Sequence, residues 1–370
     1  MMALTTQDPA LARLIEHLND ARARRVPVAI VGGGTKAFYG QALQGTALDV
    51  KPLRGISQYE PSELVITARA GTPLAELEAT LAERGQCLPF EPPHFAAGGT
   101  VGGMVAAGLA GPARVAVGTV RDYVLGATVL NGRGELLSFG GQVMKNVAGY
   151  DMARSFAGSL GVLGVICEVS LKVLPLPAAR RTVVFECAQA DALAQLARWA
   201  SQPLPIQASA WHAGRLSVRL AGAHAAVVAA QAQFIAQGAQ VLPDEEADAW
   251  WRSVRDQQHR FFALDVFQRA EGWRLWRLSV PRTAPPLAGD EDTFIEWHGA
   301  QCWLRSQRPA SALRDAAQRV GGHATLMCGG DGHEPVFTRP DPALWRIHQT
   351  LKRAFDPQGV FNPGRLYPDL

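Results

Sequence analysis

Apolar positions along this chain follow two periods. Leu11, Leu14, Ile15 and Leu18 lie at helical spacing, and Asp8-Pro9 before them supplies an N-cap carboxylate and a first-turn proline. The run VPVAIV at 26–31 is continuously apolar and ends in Gly32-Gly33-Gly34, which predicts a buried strand entering a glycine loop. Residues 64–70 form a second strand. Residues 73–84 form a helix with one apolar face, closed by Gly85. Residues 123–130 and 135–139 flank Asn131-Gly132-Arg133-Gly134, which predicts a β-hairpin about an Asn-Gly turn. A further strand at 164–174 is closed by Pro175 and Pro177.

Beyond that proline pair the texture changes. Strands are expected at 183–187, 206–211 and 216–220, interleaved with helices at 190–200 and 223–237. Further strands at 273–280 and 302–305 precede a helix at 310–320, and a last helix spans 342–355. This rhythm predicts an α+β fold in which the second part carries an antiparallel sheet. The expected domains are residues 1–176, residues 177–354 and a tail at 355–370.

Composition narrows the picture. A length of 370 residues suits two domains or three, and with 48% apolar and 19% charged residues a large core is available. Lys and Arg number 36 against 33 Asp and Glu, which is too balanced for a nucleic-acid surface. The group Arg22, Arg24 and Arg25 reads as the basic last turn of the first helix. Cys87, Cys167, Cys187, Cys302 and Cys328 have no C-x-x-C spacing, which excludes a disulfide framework or an iron–sulfur cluster and favours buried thiols in a reducing cytoplasm. The N-terminal residues lack the apolar core of a signal peptide, and glycines, Pro112 and Arg114 break the apolar window 101–118, so no membrane insertion is expected.

Glycine-rich segments recur at 31–36, 96–103, 108–118 and 157–165. Glycine costs conformational entropy on folding, and a pyrophosphate gives a reason to use it: backbone N–H groups form a concave donor site that a Cβ would obstruct. VGGGTK has neither the G-x-G-x-x-G spacing of a Rossmann turn nor the spacing of a Walker A loop, so a nucleotide kinase or ATPase is excluded. Several loops interleaved with short strands instead imply one long dinucleotide, to which Thr35 and Thr100 add hydroxyl donors.

The order VGGGTK, TVGGMVAAG, GTVRDYVLGATVLNGRGEL and KNVAGYDMARSFAGSLGVLGVICEVSLKVLP resembles the FAD-binding domain of the vanillyl-alcohol oxidase / p-cresol methylhydroxylase superfamily, and FDPQGVFNPGR resembles the C-terminal signature of its FAD-linked oxidases. Within the superfamily the chain is most similar to FAD-binding subunits of bacterial glycolate oxidases. That resemblance implies a two-lobed PCMH-type FAD-binding domain, an α+β cap and a tail that returns to the FAD site.

By the same resemblance, Val31, Gly32, Gly33, Gly34, Thr35 and Lys36 wrap the pyrophosphate from one side. Thr100, Val101, Gly102 and Gly103 approach from the other, opening a short helix whose N–H groups face the phosphates. Gly118, Thr119 and Asp122 follow the ribityl chain; Gly158, Ser159, Gly161 and Gly164 meet the adenosine; Val165 or Ile166 offers main-chain bonds to adenine; Asn362 returns towards the flavin. The segment Gly34-Thr35-Lys36-Ala37 has no histidine where some relatives attach flavin, which implies non-covalent FAD. His94 is either a flavin neighbour or a packed loop residue.

Catalytic 2-hydroxyacid dehydrogenases of the superfamily carry an H-x-x-G-D-G-N-x-H site. Here His323, Asp331 and His333 echo its chemistry without its spacing, so no metal is expected and no catalytic residue is assigned. The resemblance implies an oxidoreductase working with a larger flavin-binding catalytic subunit and an iron–sulfur subunit on a small 2-hydroxyacid. Its location is then cytoplasmic, or peripheral at the inner membrane through those partners. The alternatives are a self-sufficient 2-hydroxyacid dehydrogenase and a reductase of the UDP-N-acetylenolpyruvylglucosamine type. The Trp- and Arg-rich stretch 250–277 is either partner-facing surface or cap core.

Overall fold

The protein is described by a computed structural model that covers residues 7–141, 151–287, 291–330, 332 and 334–370. The chain forms two compact units. The first draws on Met1–Leu109, Thr119–Pro175 and Arg339–Leu370, and the second on Ala110–Gly118 and Leu176–Thr338.

In the first unit the expected helix forms as Pro9–Arg24, and the Asp8 carboxylate accepts hydrogen bonds from the N–H groups of Ala10 and Leu11. Leu11, Leu14 and Leu18 are buried in a cluster with Val28, Leu48, Cys167 and Phe361. Arg22 and Arg24 lie in the helix's last turn, as their spacing suggested, and the Arg22 guanidinium donates to Arg133 O. Strand Val28–Val31 pairs in parallel with Thr46–Asp49. A five-stranded antiparallel sheet runs in the order Ile56–Glu60, Val65–Arg69, Val165–Lys172, Val124–Leu130, Leu136–Gly140.

The predicted hairpin is the last pair of that sheet, but its tip differs from a two-residue Asn-Gly turn. Leu130 faces Leu136 across a longer loop, and Gly134, not Gly132, takes the left-handed conformation at φ 82°. The buried Asn131 makes this possible. Its Oδ1 accepts from the N–H groups of Arg133 and Glu135, so one side chain satisfies the donors that a tighter turn would pair.

The second unit carries an eight-stranded antiparallel sheet in the order Gln240–Val241, Ala179–Glu186, Arg215–Gly222, Ile206–His212, Thr293–Glu296, Gln301–Ser306, Arg274–Ser279, His323–Cys328. Alternation along Ala179–Glu186 sorts its faces. Val183 and Phe185 pack with Trp199 of helix Gln189–Trp199 and Phe234 of helix His224–Ala236. Val184 points the other way, against Ala247 of helix Asp244–Arg255. Sequence periodicity did not single out that helix. Trp251 on it donates to Thr182 Oγ1, and Trp276 is fully buried, so these two tryptophans of the 250–277 stretch are core.

The expected domain bounds of 176/177 and 354/355 need two corrections. Helix Pro342–Phe355 belongs to the first unit, where Phe355 packs edge-on against Phe139 and Phe156. Ala110–Gly118 belongs to the second, where Gly111 O accepts from Trp297 Nε1 and the Arg114 guanidinium lies 4.3 Å from the Trp297 ring centre. The packing of single side chains decided both. All five cysteines are free thiols; burial pushes Cys167 and Cys302 up to about 12. Asp331 and His333 lie outside the described residues, and His323 begins the last sheet strand. Among the described residues no helix is long and apolar enough to cross a membrane.

The second unit also buries a titratable group at a bend. Trp297 and His298 both have positive φ, at 52° and 56°, and His298 Nε2 has no hydrogen-bond partner among the described residues. Burial first, and then the nearby Arg282, pushes the imidazole down to about 4. A base held neutral in this way leaves stability intact above the unfolded-state value of 6.5 and loses it as pH falls from there to about 4. The loss amounts to roughly 3 kcal/mol at ~1.4 kcal/mol per unit. His298→Asn keeps a residue that tolerates the left-handed conformation and removes the titration. Denaturant unfolding at pH 7.5 and 4.5 should show a smaller acid loss for H298N than for the native chain; equal losses would contradict the assignment.

Candidate functional site

The parallel strand Val28–Val31 ends in the first glycine loop, and the second, at 96–100, lies directly against it. A Cβ on Gly33 would stand 1.6 Å from Gly98 O, and one on Gly32 would stand 2.5 Å from Thr100 Oγ1. At Gly33 the two loops therefore meet backbone to backbone, and at Gly32 the glycine backbone meets the Thr100 hydroxyl. Gly34 has φ 70° and faces open space.

Beneath these loops lies a cleft of about 600 Å³, lined by Ile30, the whole segment Val31–Lys36, Thr100, Gly103, Leu160, Asn362 and Arg365. A second lobe of about 410 Å³ shares Ile30, Gly32, Gly103, Leu160 and Asn362, and adds Gly102, Gly161, Gly164 and Ile166. The mostly apolar walls suit a small-molecule or cofactor site. Among the described residues, the N–H groups of Gly32, Gly33, Gly34 and Thr35 have no hydrogen-bond acceptor, and neither do those of Gly98 and Gly99. Unmatched donors grouped at one rim are what an anionic group such as a pyrophosphate requires. Lys36 adds a cation at that rim, its Nζ 3.4 Å from Thr35 Oγ1 and 5.7 Å from the Phe95 ring centre.

The short helix behind the second loop has a different role from the one expected. In Val101–Ala107 the N–H groups of Val101, Gly102 and Gly103 donate to Thr72 O, Ala70 O and Thr100 Oγ1. Its first-turn donors are therefore spent on protein acceptors and cannot serve a phosphate. Thr100 is 4% exposed, and its hydroxyl oxygen caps the helix.

Of the residues named from sequence, the cleft brings together Val31 to Lys36, Thr100, Gly102, Gly103, Gly161, Gly164 and Asn362. Val101 and Val165 are fully buried and do not line it. Gly118 falls in the second unit. Thr119 and Asp122 form a capping box in which Asp122 Oδ2 accepts from Thr119 N–H at 2.7 Å, and that bond is the main cause holding the carboxyl below its usual range. Gly158 N–H donates to Val105 O, and Ser159 Oγ donates to Phe156 O, so both brace the loop from behind. The segment 108–118 contributes no cleft residue. His94 pairs with Glu78 at 2.8 Å, the packed-loop alternative.

Asn362 is less a free cofactor ligand than a clamp. Its Oδ1 accepts from Ile30 N–H at 2.8 Å, and its Nδ2 donates to Leu160 O at 2.7 Å. Three buried charged residues near the cleft escaped sequence reasoning. Arg365 is 5% exposed and donates to Gln41 O and, at 3.0 Å, to Ala37 O, fixing the chain that follows the first loop. Lys352 and Asp356 form a buried pair beneath the tail. An exposed-type charge within a helical pattern carries no local sign of burial; the proximity of FNPGR was the one available signal.

Residues 11–140 match the family described as FAD binding domain. The chain is 44% identical over 358 residues to the glycolate oxidase subunit GlcE of Escherichia coli K12, covering 96% of this chain and 97% of that one. It is 31% identical over 173 residues to the glycolate oxidase subunit GlcD of Bacillus subtilis, but those cover 46% of this chain and 37% of the relative. Among solved structures, an alkyldihydroxyacetonephosphate synthase superposes with a TM-score of 0.66 at 15% identity, covering 95% of this chain and 75% of that one, which is a likeness of fold.

The loop contact makes a sharp contrast between neighbours. Gly33→Ala forces Gly98 away and should cost at least ~2 kcal/mol of stability. Gly34→Asn, at an open left-handed position, should stay within about 1 kcal/mol of the native chain. Thermal unfolding of both variants checks this, and equal melting temperatures for the two would contradict the close approach.

Proposed function

This chain belongs to the GlcE family of glycolate oxidase subunits, and on that premise we propose that it is the FAD-holding subunit of a multi-subunit 2-hydroxyacid oxidase acting on glycolate. It binds FAD non-covalently, and primary chemistry resides on a larger flavin-binding subunit that works with an iron–sulfur subunit. The observation that carries the reading is the rim of unmatched backbone donors over an apolar cleft, in a chain similar to GlcE along nearly its whole length. Its setting on this reading is cytoplasmic, with any membrane association through the partners. Within the stretch 250–277, Val266 and Phe267 are 77% and 80% exposed, which suits contact with such a partner.

When bound, FAD would supply a redox-active group able to take up electrons from the 2-hydroxyacid oxidised on the partner subunit, glycolate giving glyoxylate. The chain's own residues hold and shield it. The N–H groups of Gly32, Gly33, Gly34 and Thr35 would take the pyrophosphate oxygens, with the Lys36 charge beside them. Ile30, Leu160 and Ile166 would exclude water from the flatter parts of the ligand, and Gly161 and Gly164 keep the second lobe open. Non-covalent binding is supported by the side chains at the rim, where Thr35, Lys36 and Ala37 include no histidine.

A self-sufficient dehydrogenase is the competing mechanism, and one experiment separates the two. The chain purified alone should be yellow and release FAD on denaturation, and anaerobic glycolate should leave its flavin oxidised. Bleaching by glycolate would assign the oxidation to this chain. A colourless protein that takes up no FAD, even beside its partners, would overturn the flavoprotein reading.

A further inference from the structure

Under the cleft, the last helix and the tail are tied by a charge pair with every visible donor in use. Lys352 Nζ donates to Asp356 Oδ2 at 2.7 Å, to Phe361 O at 2.8 Å and to Val162 O at 2.9 Å, which exhausts the three N–H bonds of an ammonium group. The Asp356 carboxylate accepts in turn from Val360 N–H at 3.0 Å and Phe361 N–H at 2.8 Å. Lys352 is 7% exposed and Asp356 2%.

Two of the segments joined here, the loop and the tail, meet again at the cleft wall. Val162 lies two residues beyond Leu160, whose carbonyl accepts from Asn362 Nδ2, and Phe361 directly precedes Asn362. A Cβ on Gly161 would stand 2.7 Å from that same Nδ2. The pair therefore sets the spacing between loop and tail from behind, while Asn362 holds it at the surface that lines both lobes. A buried ion pair contributes little net stability compared with an apolar pair of similar size, so its retention calls for a role in geometry.

We propose that Lys352 and Asp356 are positioning residues for the cofactor cleft: without touching the ligand, they fix the separation of loop 158–164 and tail 360–362, and so set the affinity and environment of the bound dinucleotide. This rests on the FAD reading above. Neither residue is a cleft-lining group.

Lys352→Met removes all three donors, leaving two buried carbonyls without this donor and the buried carboxylate without its cation. Lys352→Arg keeps the charge and the donors. On the full-length chain, quenching of flavin fluorescence on titration with FAD gives affinity, and absorption at saturating FAD reports the environment. K352M should weaken FAD binding roughly tenfold or more and shift the bound-flavin absorption band, with K352R restoring most of both. Asp356→Asn, which keeps one oxygen for the tail N–H groups, should change both in the same direction by a smaller factor and serves if K352M does not fold. A merely structural pair would lower the melting temperature while leaving the saturated flavin spectrum native. That result, or native affinity in K352M or D356N, overturns the proposal while the FAD reading stands. A native chain that takes up no FAD overturns both.

Discussion

The backbone of the tail needs hydrogen-bond partners once it is buried, and it finds them on the first strand, Val28–Val31. Val28 N–H donates to Val360 O at 2.9 Å, Asn362 N–H donates to Val28 O at 3.1 Å, and Phe361 stands opposite Val28 in parallel register. Buried peptide groups left unpaired would each cost a few kcal/mol, so this short pairing commits both termini of the first unit to one place. The rest of the cleft follows. Phe361 is fully buried among Leu11, Val28 and Leu48; Asn362 bridges to Ile30 and Leu160; Arg365 reaches the carbonyls after the first glycine loop. A site assembled from residues near 30, 100, 160 and 362 depends on that closure.

The glycines at the site divide into two kinds of work. Gly32 and Gly33 let two loops touch where any Cβ would collide, and among the described residues their N–H groups have no acceptor. The helix Val101–Ala107 is the contrasting case. Its first-turn donors are taken by Thr72, Ala70 and the Thr100 hydroxyl, so its dipole lies near the cleft while its hydrogen bonds do not. Proximity of a helix N-terminus is therefore a poorer guide to anion binding than the count of unmatched donors.

In the second unit the sheet is covered on both faces by helices of different visibility. Helices Gln189–Trp199 and His224–Ala236 meet Val183 and Phe185, while Asp244–Arg255 meets Val184 and, through Trp251, Thr182. The third helix begins with Asp244, Glu245 and Glu246 and ends in arginines, so its buried stripe of Ala247, Trp251 and Val254 is thin against a charged background. The stripe nonetheless stands at i, i+4 and i+7 between an acidic first turn and a basic last turn, so this helix was legible in the sequence although it was not singled out there.

What the sequence determined by itself was local. Asp8-Pro9 specified a helix start, alternation and glycine punctuation specified most strands, and the motif order specified an FAD-linked oxidase, because each of these is set by neighbours a few residues apart. The first loop and Asn362, both named from sequence, line one cleft. Tertiary structure alone decided which donors remain unmatched, that helix Pro342–Phe355 joins the first unit, and that Lys352 and Asp356 are buried beneath the site. Each of those facts rests on contacts between segments distant in sequence, 190 residues for Lys352 with Val162 and 65 for Gly33 with Gly98, and no local pattern of side chains encodes which carbonyl a distant amide will meet.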